Sequence, residues 1–153
     1  MIRFATASLA LLMTAAVASA HCQVPCGIYG DQLRFQQMLE DEQTISKAQI
    51  QLGELVGDEV DPQAVNQMVR WTTTKEDHAS RIQETIASYF MAQRIKPDAE
   101  GYGKTLMAAH AVMVNAMKAK QSADPATAKA LEKAIFDFYR AYEGKEPDFD
   151  HSH

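Results

Sequence analysis

From Asp31 onward the apolar residues recur at steps of three and four, the spacing of one buried face on an α-helix, and no strand-like alternation competes with it. Phe35, Met38, Leu39, Ile45, Ala48, Leu52 and Leu55 mark a first helix within 31–56, with Gly53 and Gly57 near its end, where helices favour glycine caps. The run "DEVDPQ" then offers Asp61 as an N-cap and Pro62 as the first helical residue. A second segment over about 62–95 carries Val65, Met68, Val69, Ile82, Ile86, Tyr89 and Phe90, although "TTTKEDH" at 72–78 interrupts its stripe. "KPDAEGYG" at 96–103 reads as a loop from its proline and glycines. Leu106, His110, Met113 and Met117 define a third helix. Asp124-Pro125 repeats the start signal before a fourth, through Leu131, Ile135, Phe138 and Tyr142. Four amphipathic helices joined by short loops predict an all-α, antiparallel up-down four-helix bundle over 31–143. The polar end of the chain, 144–153, is expected to be disordered.

The first twenty residues have a different character. Arg3 provides a positive start, Phe4 to Val17 is mostly apolar, and Ala18-Ser19-Ala20 has the A-x-A form of a signal-peptide cleavage site. The apolar stretch is shorter than the roughly 20 residues a membrane-spanning helix requires, so no membrane anchor is expected after processing. Cleavage after Ala20 would make residues 1–20 a removed leader, begin the mature chain at His21, and place the protein in the periplasm or outside the cell. What remains is long enough for one domain with a proper core. The chain has 15 Lys and Arg against 20 Asp and Glu, and no basic patch interleaved with aromatics, so nucleic acid is not an expected partner. It has no Gly-rich phosphate loop and no Ser/His/Asp motif.

The two cysteines, Cys22 and Cys26, both lie within six residues of that new terminus. They cannot staple distant elements, as the cysteines of small exported domains do. In "HCQVPCGIY" the free α-amine of His21 would stand beside its imidazole, the Cys22 amide and two thiols. Amine, deprotonated amide and two thiolates make a square-planar set that suits Ni(II) or Cu(II), with the imidazole available as a fifth, axial donor. Pro25 constrains the turn between the thiolates. Binding would release protons and weaken in acid. While Ala20 is attached the amine is an amide, and that ligand does not exist. Spacing alone also permits a local Cys22–Cys26 disulfide.

"HCQVPCGIY" closely resembles the nickel hook of the nickel superoxide dismutases, His-Cys-x-x-Pro-Cys-Gly-x-Tyr at the processed N-terminus, with His21, Cys22, Pro25, Cys26, Gly27 and Tyr29 all matching. "SYF" at 88–90 and "DPATAKAL" at 124–131 are also similar to that family, so the resemblance covers about 21–142. It implies a hook over 21–30 ahead of the bundle, dismutation of superoxide to dioxygen and hydrogen peroxide, and one nickel ion per subunit alternating between Ni(II) and Ni(III). The implied ligands are His21 through its amine and axial imidazole, Cys22 through its amide and thiolate, and Cys26 through its thiolate. Tyr29 would stand near the open face and position small anions or water. Members form hexamers, which implies a homo-oligomer here. Gln23 stands where the family often has an acidic residue. The carboxylate and arginine that commonly orient the family's imidazole have Gln36 or Gln37 and His78 as their nearest counterparts.

Other candidates read more plainly. Lys75, Glu76 and His78 look like a solvated face, with a role in receiving the hook as the functional version. His110, among methionines, reads as a core histidine, and His151 and His153 belong to the tail. Two rival functions are an exported copper-binding or redox module that braces its metal with the N-terminal histidine, and a non-catalytic bundle with a Cys22–Cys26 disulfide. Superoxide is an anion, so a chain of net charge −5 needs local positive charge to guide it.

Overall fold

The computed structural model describes residues 30–56 and 61–149, and they form four helices in up-down-up-down order. Helix α1 is Asp31–Leu55, α2 is Pro62–Glu84 and continues without a break as a π-helical segment, Thr85–Arg94, α3 is Tyr102–Gln121, and α4 is Pro125–Glu143. Both Asp-Pro starts form as expected. Asp61 accepts a hydrogen bond from the Ala64 amide at 2.7 Å, and Asp124 accepts one from the Ala126 amide at 2.9 Å. The end of α4 is closed by Gly144, whose φ of 70° suits glycine and lets its amide reach the Arg140 carbonyl. The α1 terminus differs from expectation: the helix runs through Gly53 and ends with an extended Val56.

Most of the expected core is buried, including Phe35, Met38, Leu39, Ile45, Ala48, Ile82, Ile86, Tyr89, Phe90, Leu131, Ile135 and Phe138. At the end where α1 begins, Phe35 meets Phe90 at 4.9 Å, Phe138 at 5.2 Å and Tyr139 at 4.9 Å between ring centroids, in tilted and edge-on geometries that favour aromatic pairs.

Helix α3 corrects the sequence reading. Its buried face is Thr105, Ala109, Val112, Ala116 and Ala119, one position away from the stripe of Leu106, His110, Met113 and Met117. Small residues point inward and let α3 approach its neighbours closely, and His110 is exposed rather than a core histidine. A hydrophobicity pattern dominated by large side chains misses a face built from alanines.

The first turns of α2 give a second correction. Val65 is 48% and Val69 60% exposed, because these turns and the last turns of α1 project as a helical hairpin past the top of α3 and α4. At the other terminus, residues 144–149 turn back onto α4 instead of trailing as a loose tail. Phe149 is buried with its ring 5.0 Å from Tyr139, and Arg140 pairs with Glu146 at 2.8 Å. Residues 150–153, with His151 and His153, lie outside the described residues.

Candidate metal centre

His21, Cys22, Cys26 and Tyr29, with Gln23, lie outside the described residues, so the structure begins one residue past the hook's tyrosine, at Gly30. The described surroundings start there. Gly30 is extended and supplies no side-chain cap to α1. Asp31, the first helical residue, does not turn its carboxylate back along its own helix. Oδ1 accepts from the Tyr89 hydroxyl at 2.5 Å and from Arg94 Nε at 2.9 Å, and Oδ2 accepts from the Tyr142 hydroxyl at 2.8 Å. Arg94 also donates to the Tyr89 oxygen, from Nε at 3.2 Å and from an Nη at 3.0 Å. Burial, with the Asp31 carboxylate beside them, pushes the Tyr89 and Tyr142 hydroxyls above their ordinary range, so both stay protonated and act as donors.

The π-helical winding makes this cluster possible. In a regular α-helix residues five apart point about 140° away from one another. With hydrogen bonds from i to i+5, Tyr89 and Arg94 come to share one face, and the same register shows in the bond from the Ile95 amide to the Phe90 carbonyl. No periodicity in the sequence reports that change of pitch.

Beside the cluster lies an open cleft of about 460 Å³ lined by Arg34, Gln37, Glu40, Asp41, Arg81, Glu84, Thr85, Ser88 and Tyr89. Arg34 stands over the Tyr89 ring, 5.4 Å from its centroid, and donates to the Gln37 side chain. Of the two glutamines singled out by the sequence, Gln37 lines the cleft and Gln36 is exposed. His78 holds Asp41 through Nδ1 at 2.6 Å, with Arg81 3.7 Å from the same oxygen. Burial pushes the Asp41 carboxyl above its ordinary value despite those two neighbours.

Lys75 is not part of a solvated face. It is 4% exposed and donates to the carbonyls of Ala119, which it shares with Gln49, and of Lys120 at the end of α3, where helical partners run out. Burial lowers its ammonium from the usual range. Neither it nor Glu76, which pairs at 3.7 Å with Lys75 and Lys120, lines the cleft.

A family model for nickel-containing superoxide dismutase matches residues 16–146. The chain belongs to that family. It is therefore a nickel-dependent oxidoreductase that acts on superoxide, and its helical bundle agrees with that membership. Comparison with curated proteins and with solved structures found no match.

The thiols and the histidine that the hook motif offers to nickel lie outside the described residues. Among the described residues no three His, Cys, Asp or Glu side chains stand close enough together to hold a metal ion. The chain's two cysteines are both in the stretch 21–26, with the histidine that would carry the free amine. Thiolate sulfur and amine nitrogen suit nickel, so the residues fit the metal. The sequence did not single out Asp31, Arg34, Asp41 or Arg94. Asp31 and Arg34 carried one available signal, their place in the first turn after the hook.

Proposed function

We propose that the chain is exported, cleaved after Ala20 and matured as a superoxide dismutase whose hook, residues 21–30, holds one nickel ion per subunit ahead of the bundle at 31–143. His21 would contribute its amine and its imidazole, Cys22 its backbone amide and thiolate, and Cys26 its thiolate. The observation that carries this reading is the family match over 16–146, which takes in "HCQVPCGIY" with all six of the hook's fixed positions. Nickel held by these residues would supply the one-electron chemistry, Ni(II)/Ni(III), for converting two superoxide ions and two protons to dioxygen and hydrogen peroxide.

Arg34 and Arg81 line the cleft together with Glu40, Asp41 and Glu84, and Arg94 beside it is paired with Asp31, so the described cleft carries no net positive charge to draw an anion toward a protein of net charge −5. Tyr29 would position the small anion or ordered water at the open face. Tyr89 and Tyr142 hold their protons toward Asp31 and do not serve as acids for the peroxide. Gln37, held by Arg34, and the Asp41–His78 pair support the wall of the cleft.

A homo-oligomer, hexameric by resemblance, is part of the same proposal. Exposed Ile50, Val56, Val65 and Val69 on the projecting hairpin, and Met107 and Met117 on α3, are apolar surface suited to a second copy. Sedimentation velocity on the processed protein tests it, with a single species larger than a monomer expected.

The ligand assignment is tested by His21→Ala and Cys26→Ser. His21→Ala keeps the amine, so it should retain nickel and lose most of the dismutation. Cys26→Ser should take up no nickel. An unaffected His21→Ala protein would favour the disulfide-bonded bundle, and preferential copper uptake would favour the copper module.

A further inference from the structure

We infer that Asp31 and its three donors, Tyr89, Arg94 and Tyr142, form a clamp that fixes how the N-terminal hook leaves the bundle, and that these are positioning residues for the metal loop. The inference rests on the nickel-hook reading above. Three features of the structure carry it.

The carboxylate is diverted from its local use. An acidic residue in the first turn ordinarily favours its own helix through the exposed amides and the dipole. Here both oxygens are instead taken up by side chains from the π-helical segment and from α4. A second contact holds the same turn, from the Tyr139 hydroxyl to the Gln32 side chain at 3.2 Å.

The clamp is also charge-assisted and joins three elements. A carboxylate receiving a guanidinium and two hydroxyls makes stronger and more directional bonds than neutral partners do. Helix termini otherwise fray, opening at little free-energy cost.

Its place in the chain is the third feature. Cys26 is five residues before Asp31, so a fixed Asp31 confines it within roughly 18 Å even if the chain is fully extended. The donors within 21–26 can close on a metal by themselves. The bundle adds a fixed departure point at Asp31, on the side of the bundle where Tyr89 borders the cleft. The unusual pitch of Thr85–Arg94 is what brings two of the three donors together.

The test uses the processed chain beginning at His21 and two readouts other than activity. One is the rate at which a chelator in excess removes nickel, followed by loss of the nickel–thiolate charge-transfer absorption. The other is amide hydrogen exchange over 22–30 in the metal-free chain. Asp31→Asn and Arg94→Gln should each release nickel about tenfold faster, as changes in groups that orient ligands do, and Tyr142→Phe should have a smaller effect in the same direction. Asp31→Asn combined with Arg94→Gln should be little worse than either alone, because both break one cluster. All three should speed exchange over 27–30. Gln49→Ala, at the opposite end of the bundle, is the control: it should lower the melting temperature without altering nickel release or exchange over 27–30. If Asp31→Asn lowers the melting temperature as Gln49→Ala does and changes neither readout, the cluster is a structural anchor and the clamp is wrong. If the unmutated chain takes up no nickel, the metal assignment fails, and exchange over 27–30 in the metal-free proteins still decides the clamp.

Discussion

The two ends of the bundle meet the same problem, how to satisfy polar groups where a helix stops, in partly different ways. At the far end, the carbonyls of α3's last turn are met by donors from other helices. Gln49 on α1 donates to Ala119 at 3.3 Å, to Ser122 at 3.1 Å and to the Thr127 hydroxyl at 2.8 Å, and Lys75 on α2 donates to Ala119 at 3.2 Å. These side chains are buried because the fold needs them: unpartnered carbonyls in a bundle interior are costly. The hook end, about 27 Å away along α1, meets the Ala141 carbonyl in α4's last turn in the same way, with the buried Thr105 hydroxyl of α3 at 3.1 Å. Asp31 supplies a carboxylate that the helix could have spent on its own amides, and three donors from elsewhere gather on it. Polar groups at the far end are explained by folding alone. The cluster on Asp31 is what the hook end adds, and the clamp proposed above gives it a role toward the chain preceding Gly30.

The comparison can be broken most forcefully at Phe35, whose ring underlies the hook end. Phe35→Ala should cost about 4 kcal/mol by removing a fully buried aromatic, and denaturant unfolding of the metal-free chain measures it. It should disturb both the fold and the clamp. Lys75→Met keeps the aliphatic stem, takes the donor from the Lys120 carbonyl and leaves Ala119 with Gln49 alone, so about 2 kcal/mol should be lost with nickel release unchanged. A comparable change in nickel release would show that the two ends are not independent.

Glu42 lies between the ends and sharpens the contrast through pH. Burial first, and then Glu132 on α4, push its carboxyl up to about 7. The native chain therefore keeps a proton that the unfolded chain releases. This group's contribution is fully present below its ordinary value of about 4.5, and stability falls as pH rises from there through about 7. Glu42→Gln should raise the melting temperature at pH 8 and leave it nearly unchanged at pH 4, a difference that scanning calorimetry detects. The smallest effect is expected at Asp124, where Asp124→Ala removes a helix cap worth about 1 kcal/mol and should leave nickel binding untouched.

Much of this architecture was legible in the sequence because large apolar residues and Asp-Pro starts report directly on helices. Phe35, Ile82, Leu131 and Phe138 fall where the spacing puts them. The inward face of α3 was not legible, since its alanines carry little hydrophobic signal, while Met107 and Met117 are exposed and Met113 is only partly buried against the core. Lys75 and Gln49 were misread or passed over because a polar residue becomes buried only when another helix brings a carbonyl to it, and that meeting is tertiary. The resemblance to the nickel hook was written in nine contiguous residues. The clamp was not: Tyr89 and Arg94 share a face only in π-helical pitch, and Asp31 and Tyr142 are 111 residues apart.

The most direct measurement compares the chain beginning at His21 with one carrying a single additional Ala in front, for nickel content and superoxide consumption. A free-amine hook predicts one nickel per chain and fast dismutation in the first, with both lost in the second. Equal behaviour of the two chains, or a Cys22–Cys26 disulfide without nickel, would contradict it.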